Sequence, residues 1–106
     1  LNMAFADNLK QLPPVAHLAA LQLIDAAGNV SATIENKPGQ AGSLAVYAAL
    51  ADKHGSINAA AAQEGLEIYA EHTADSRANP GKHPNIDRLI KIIETAQGFT
   101  VKLIPA

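Results

Sequence analysis

Hydrophobic and polar positions alternate along two neighbouring segments in the first third of the chain. The alternating apolar residues are Leu21, Leu23, Val30, Ala32 and Ile34. A period of two is typical of β-strands, because successive side chains point to opposite faces of a sheet. Between the segments, residues 25–28 read Asp-Ala-Ala-Gly, which favours a type I turn ending in a left-handed glycine. The pattern predicts a β-hairpin that pairs residues 20–25 with residues 29–35, with Gly28 at positive φ.

Apolar residues return at the three- to four-residue spacing of an α-helix in four other stretches. The predicted helices cover residues 4–12, 43–54 and 59–77, and a fourth runs from Asn85 to about Gly98. Side chains that favour N-caps stand at the start of three of these helices, namely Ser43, Asn58 and Asn85. Residues 99–103 alternate again and predict a last strand.

These elements predict one α+β domain over residues 1–106, with the order α-β-β-α-α-α-β. A lone hairpin is only marginally stable, so we expect the last strand to join it in a three-stranded, mainly antiparallel sheet. Polar side chains mark one sheet face as solvent-exposed, and the helices are expected to pack on the other face. We interpret Leu1 and Asn2 as the remnant of a cloning tag, with Met3 as the native start.

Charge and residue content narrow the classes of function. The chain has no cysteine, which rules out disulfides, thiol nucleophiles and cysteine-ligated metals. It carries 8 basic and 10 acidic residues without a basic cluster, which argues against nucleic-acid binding. No apolar run is long enough to cross a bilayer, and no signal-peptide pattern is present. We therefore expect a cytoplasmic protein without a membrane, metal or cofactor partner.

Several segments resemble a small proteobacterial domain family of unknown function, over nearly the whole chain. The similar segments are Asp25-Ala-Ala-Gly-Asn-Val30, Glu35-Asn-Lys-Pro-Gly-Gln40, Glu71-His-Thr-Ala-Asp75 and Asn79-Pro-Gly-Lys-His-Pro-Asn-Ile-Asp87. The resemblance implies a bacterial source and one full-length domain. It implies no activity, cofactor or catalytic residue.

The loop over residues 37–43 is the first candidate site. It connects a strand to a helix start and contains Lys37, Gly39, Gly42 and Ser43. Such a junction presents free backbone N–H groups and the positive end of the helix dipole, which suits an anion. The spacing is not that of a P-loop, and a tight turn followed by an N-cap explains the same residues.

A second candidate site lies between the third and fourth predicted helices. His72, Asp75, Arg77 and His83 gather there around a Pro/Gly-rich loop. Histidine beside a carboxylate can provide general acid–base catalysis, but no metal-ligand spacing is present. The structural alternative is that these charges only complement the dipoles of the helix ends.

The third predicted helix carries a row of carboxylates at helical spacing, namely Glu64, Glu67, Glu71 and Asp75. The row is interpreted either as a solvated face, partly offset by basic residues of a neighbouring helix, or as a docking surface for a basic partner. The solvated face is the preferred interpretation.

The helix over residues 43–54 is apolar on every side. Eight residues without a charged or amide group complete more than two turns, and the larger side chains are Leu44, Val46, Tyr47 and Leu50. A helix of this kind is normally buried all round. Either other elements of the chain, such as the N-terminal helix, cover it, or a second subunit does, which would make these residues a homodimer interface.

The biochemical function is unknown at this point, and two hypotheses stand. The first is a non-enzymatic interaction or assembly domain, acting as a homo-oligomer or with an unidentified protein partner. The alternative is a site for an anionic metabolite, binding or enzymatic, at residues 37–43 near His72, Arg77 and His83. Convergence of these two segments on one concave pocket would favour the alternative.

Overall fold

The computed structural model describes residues 3–106, which form five helices and three strands. The elements are α1 (Phe5–Leu9), β1 (Leu18–Ile24), β2 (Val30–Glu35), α2 (Ala41–His54), α3 (Ala59–Tyr69), α4 (Glu71–Ala78), α5 (Pro84–Thr95) and β3 (Thr100–Pro105). The predicted α+β class and order of elements are confirmed, with the helix predicted over residues 59–77 divided into α3 and α4. Leu1 and Asn2, interpreted above as a tag remnant, lie outside the described residues.

The strands form one antiparallel sheet in the order β2-β1-β3. Leu21 of the central strand lies between Ile34 of β2 and Leu103 of β3. Leu21 and Ile34 are buried, whereas Thr33 and Lys102, which flank the opposite face, are exposed. The helices therefore pack against one face of the sheet, as the alternation predicted.

The turn between β1 and β2 has the expected geometry. Gly28 has a φ of 87°, and its N–H donates to the Asp25 carbonyl at 3.0 Å. The Asp25 carboxylate also accepts the N–H groups of Ala27 at 3.0 Å and Asn29 at 2.9 Å. The aspartate thus satisfies the turn backbone, and the prediction for Gly28 is confirmed.

Helix α2 is the centre of the fold, because it contacts the sheet as well as α1 and α3. Its four large side chains, Leu44, Val46, Tyr47 and Leu50, are completely buried within the single chain. These are the residues proposed above for a homodimer interface. The structure corrects that assignment: elements of the same chain cover the helix, so these residues present no surface to a second copy.

A break at Ala70 separates α3 from α4. Ala70 has a φ of 52°, which is unfavourable for a residue with a Cβ atom. Two side chains replace the helical partners of the last α3 carbonyls: Thr73 donates to the Leu66 carbonyl at 2.6 Å, and Asn8 donates to the Ile68 carbonyl at 2.9 Å. The break is therefore stabilised by hydrogen bonds from outside α3. The alanine-rich sequence of this segment gives no sign of these hydrogen bonds.

Two helices begin earlier than predicted. Helix α2 starts at Ala41 and α5 at Pro84, so Ser43 and Asn85 lie in the first turns and not at the N-caps. Asn58 is the N-cap of α3, as predicted, and its side chain accepts the Ala61 N–H at 2.9 Å.

Gly98 has a packing role and does not end a helix. Helix α5 ends at Thr95, with Ala96 in the left-handed conformation. A Cβ atom at Gly98 would clash with the Ile57 carbonyl oxygen. Ile57 and Phe99 pair through two backbone hydrogen bonds of 2.9 and 3.1 Å, and this pairing needs the glycine.

Candidate functional site

The two candidate segments meet at one cleft of about 390 Å³. Gly39, Gly42 and Ser43 line it from the start of α2, and His72 and His83 line it from the opposite side. The sequence alone could not show this meeting, because the segments are about thirty residues apart and join only through the packing of α2, α3 and α5.

Three of the predicted residues do not line the cleft. Lys37 forms an ion pair with Glu35 at 2.8 Å, with both side chains about half exposed, and does not line the cleft. Arg77 lies on another surface, beside Glu67 and Asn8. Asp75 is behind the cleft wall, where it contacts Lys82 and His83.

Seven lining residues were not among the predicted site residues, namely Phe5, Ala41, Tyr69, Lys82, Pro84, Asn85 and Ile86. Lys82 directly precedes His83 in the Pro/Gly-rich loop, so the sequence already places it beside the second candidate site. Phe5 and Tyr69 could not be predicted from the sequence, because their roles depend on how α1 packs against α3.

The N-termini of α2 and α5 both open into the cleft. Neither N-cap residue, Gln40 or His83, makes a side-chain capping hydrogen bond. Among the described residues, the N–H groups of Gly42, Ser43 and Asn85 have no acceptor. Free N–H groups and the positive ends of two helix dipoles therefore face the same space.

His83 is held by a carboxylate. Its Nε2 lies 2.6 Å from Oδ2 of Asp75, which also accepts from Lys82 Nζ at 2.8 Å. Asn79 donates to the other oxygen at 3.0 Å. Lys82 first, and then His83, lower the pKa of Asp75 to about 2. The carboxylate is therefore ionised at neutral pH and fixes the orientation of the imidazole ring.

Aromatic rings build the wall beside His72. Phe5 stacks on Tyr69 with ring centroids 5.1 Å apart, and the His72 ring meets Phe5 edge-on at 5.2 Å. His72 and His83 have centroids 5.6 Å apart. The two imidazoles therefore share one side of the cleft, and Phe5 of α1 forms the adjoining part of the wall.

Ser43 is oriented by a buried phenol. The Tyr69 hydroxyl donates to Ser43 Oγ at 2.7 Å. Burial raises the pKa of Tyr69, so the phenol stays protonated and remains the donor. The Ser43 hydroxyl thus accepts from Tyr69 and keeps its own proton for a further acceptor.

Tyr47 fixes the position of α5 relative to α2. Its hydroxyl donates to the Asn85 carbonyl at 2.5 Å, and Arg88 Nη1 donates to the same hydroxyl at 3.0 Å. Arg88 also donates to Asn85 Oδ1 at 2.8 Å. Burial raises the pKa of Tyr47 to about 12. The two helix N-termini at the cleft are therefore joined through the core.

Asp87 holds the loop that carries Lys82 and His83. Its carboxylate accepts from Ser76 Oγ at 2.6 Å and from the Gly81 N–H at 2.8 Å. Ser76 is almost completely buried. Asp87 thus connects α4, the loop and the first turn of α5.

The predicted row of carboxylates is divided by the break at Ala70. Glu64 pairs with Lys53 at 2.6 Å, and hydrogen bonding from Lys53 is the main factor that lowers the pKa of Glu64. The Phe5 N–H donates to Glu71 at 2.8 Å, which lowers the pKa of Glu71. Asp75 holds Lys82 and His83. Three of the four carboxylates therefore have partners within the chain.

The cleft contains a cation and no facing carboxylate. Among the described residues, its polar lining includes the Lys82 ammonium and the imidazoles of His72 and His83, and no carboxylate side chain, although the chain as a whole has a net charge of −2. Within residues 3–106, no three histidine or acidic side chains form a group suited to a metal ion. No helix in that range is long and apolar enough to cross a membrane. The arrangement suits an anion.

The fold and this cleft define a small α+β domain with a cation-lined pocket between two helix N-termini. The chain belongs to the family described as "Uncharacterized protein conserved in bacteria (DUF2322)", whose model matches residues 5–103. The resemblance to a nearly full-length bacterial family of unknown function is thereby confirmed, and the family description assigns no activity. No curated protein and no solved structure matches the chain.

Proposed function

We propose that this domain binds a small anionic metabolite in the cleft, and that a phosphate group is the part of the ligand the cleft holds. The observation that carries the proposal is the convergence of two uncapped helix N-termini on a space lined by Lys82, His72 and His83. Unpaired N–H groups at helix N-termini are a recurrent phosphate-binding arrangement.

The number of donors supports phosphate over a single carboxylate. Gly42, Ser43 and Asn85 each offer a free N–H, and the Ser43 hydroxyl and Lys82 add two further donors. A phosphate group has three or four acceptor oxygens, which can use such a set at once. A cleft of about 390 Å³ is also in the size range of small-molecule sites.

Isothermal titration calorimetry with inorganic phosphate tests the proposal. Lys82→Ala should weaken binding by about tenfold, since one charge-assisted hydrogen bond is lost. Lys37→Ala and Lys53→Ala are matched controls, because both lysines pair with glutamates away from the cleft. An absence of phosphate binding by the wild-type protein, or equal weakening by all three variants, would contradict the proposal.

Two predictions from the sequence remain alongside phosphate binding. One is assembly with a second copy or another protein, and the other is location in the cytoplasm. The four α2 residues on which the assembly prediction was based are buried, but Val30 on β2 and Leu103 on β3 are about half exposed on the two outer strands. These positions are a more suitable place for a partner. Light scattering at micromolar concentration measures the oligomeric state, and a monomer would remove the homo-oligomer.

A further inference from the structure

We propose that His83 accepts a phosphoryl group on Nδ1 from a small phosphorylated donor, so that the cleft carries a phosphohistidine. This inference rests on the proposed function, because the donor must first place its phosphate in the cleft. It goes beyond that function, since it assigns a covalent step to one named atom.

The Asp75 carboxylate selects the nucleophilic nitrogen. At 2.6 Å from His83 Nε2, an ionised carboxylate can only accept, so the ring proton lies on Nε2. Nδ1 then keeps its lone pair, and it has no hydrogen-bond partner among the described residues. A neutral imidazole with its lone pair at a ligand cleft is the form that attacks phosphorus.

The surroundings suit the product as well as the attack. His83 is the N-cap residue of α5, so a phosphoryl group on its ring would lie near the free Asn85 N–H and the positive end of the helix. Lys82 is the adjacent residue and lines the same cleft. These groups can offset the negative charge of the phosphoryl oxygens.

Transfer of the phosphoryl group from the donor to His83 Nδ1 balances in atoms and electrons. The Nδ1 lone pair forms the N–P bond, while the bond from phosphorus to the donor's leaving group breaks and its electron pair departs with that group. The leaving group takes a proton from water where it needs one. The ring gains positive charge, which the Asp75 carboxylate stabilises through the Nε2 proton. The donor class is therefore a phosphorylated small molecule with a good leaving group, such as an acyl phosphate or a phosphoramidate.

The chain contains two internal controls. His72 shares the cleft but has no carboxylate partner among the described residues, and Phe5 packs against its ring. His54 has a carboxylate partner, with Nε2 at 3.3 Å from Glu64, but lies in the last turn of α2, where the helix carbonyls disfavour an anion. Within residues 3–106, only His83 combines a carboxylate partner with a helix N-terminus.

Incubation of the full chain with phosphoramidate, followed by intact-mass measurement, tests the step. The wild-type protein should gain one phosphoryl group that is stable in alkali and lost in acid, and fragment spectra should place it on His83. His83→Gln should lose the modification, while His54→Gln, which changes a histidine away from the cleft, should keep it. Mapping on the wild-type protein makes the test independent of how the variants fold.

Asp75→Asn tests whether the carboxylate orients the His83 ring or only stabilises the fold. It should slow modification by at least about tenfold, and the ring ¹⁵N shifts of His83 should change from a single Nε2-protonated form to a mixture. A phosphoryl group on His54, His72 or Ser43, or none at all, would overturn the inference. If calorimetry still detects phosphate binding in that case, the proposed function stands and only the covalent step fails.

Discussion

Two clusters in this chain are built from the same three components, a lysine followed directly by a histidine and one carboxylate that contacts both. The α2 cluster consists of Lys53, His54 and Glu64, and the α5 cluster consists of Lys82, His83 and Asp75. Their lysine–carboxylate distances are nearly equal, at 2.6 and 2.8 Å. By composition alone, the two would be assigned the same role.

Their positions relative to the helix dipoles separate them. Lys53 and His54 lie in the last turn of α2, where positive charge complements the helix carbonyls. Lys82 and His83 immediately precede α5, so the Lys82 ammonium adjoins the positive end of a helix. In the α2 cluster the helix carbonyls complement the lysine charge, whereas in the α5 cluster the lysine charge adds to the positive end of the helix, and an anion would offset both. Of two clusters with the same residue types, the one at a helix N-terminus is therefore the candidate anion site, and the one at a helix C-terminus is not.

Removal of the carboxylate that holds the α5 loop should have the largest effect. Asp87→Ala leaves the Gly81 N–H and the buried Ser76 hydroxyl without their acceptor. We expect a loss of about 2–3 kcal/mol in the free energy of unfolding, together with weaker phosphate binding. Chemical denaturation and calorimetry measure the two effects. The exposed Asp52 is the matched control, and a loss below about 0.5 kcal/mol on Asp87→Ala would show that the loop does not depend on this carboxylate.

Removal of the side-chain cap at the N-terminus of α3 should affect stability and leave phosphate binding unchanged. Asn58→Ala removes the capping hydrogen bond to the Ala61 N–H and should cost about 1 kcal/mol. Phosphate affinity should not change, because α3 begins away from the cleft. A change in affinity comparable with that of Lys82→Ala would contradict the distinction between capped and open helix ends.

Local pattern predicted the parts of the fold that local contacts determine. The hairpin alternation, Gly28 and the Asn58 cap all depend on residues within a few positions of one another. The break at Ala70 depends on hydrogen bonds from Thr73 and from the distant Asn8, so a run of helix-forming residues gave no sign of it.

The same limit applies to the candidate site. Lys37 was chosen because it lies in the loop before α2, but it pairs with Glu35 on the adjacent strand. Lys82 supplies the cation at the cleft, because Tyr47 and Asp87 bring the start of α5 against the start of α2. The residue types at the site could be predicted, but the choice between two lysines required the packing.

The acid dependence of stability should differ slightly between the two clusters. The pKa of Asp75 is about 2 in the folded protein against 3.8 ordinarily, so its stabilising effect is full above about pH 4 and is lost as the pH falls towards 2. The pKa of Glu64 is lowered from 4.5, so its effect is lost in the same direction below that value. The difference in melting temperature between wild type and Asp75→Asn should therefore shrink between pH 5 and pH 2. Glu64→Gln should show a smaller change of the same sign, and a difference that grows on acidification would contradict both pKa directions.

Amide chemical shifts during a phosphate titration test the central claim most directly. A ¹H–¹⁵N spectrum reports each backbone N–H separately, so the open and the capped helix ends are compared in one sample. The account predicts saturable shifts at Gly42, Ser43 and Asn85, with no comparable shift at Ala61 or His54. Shifts confined to other residues, or no saturable shift at these three amides, would contradict an anion site between the two helix N-termini.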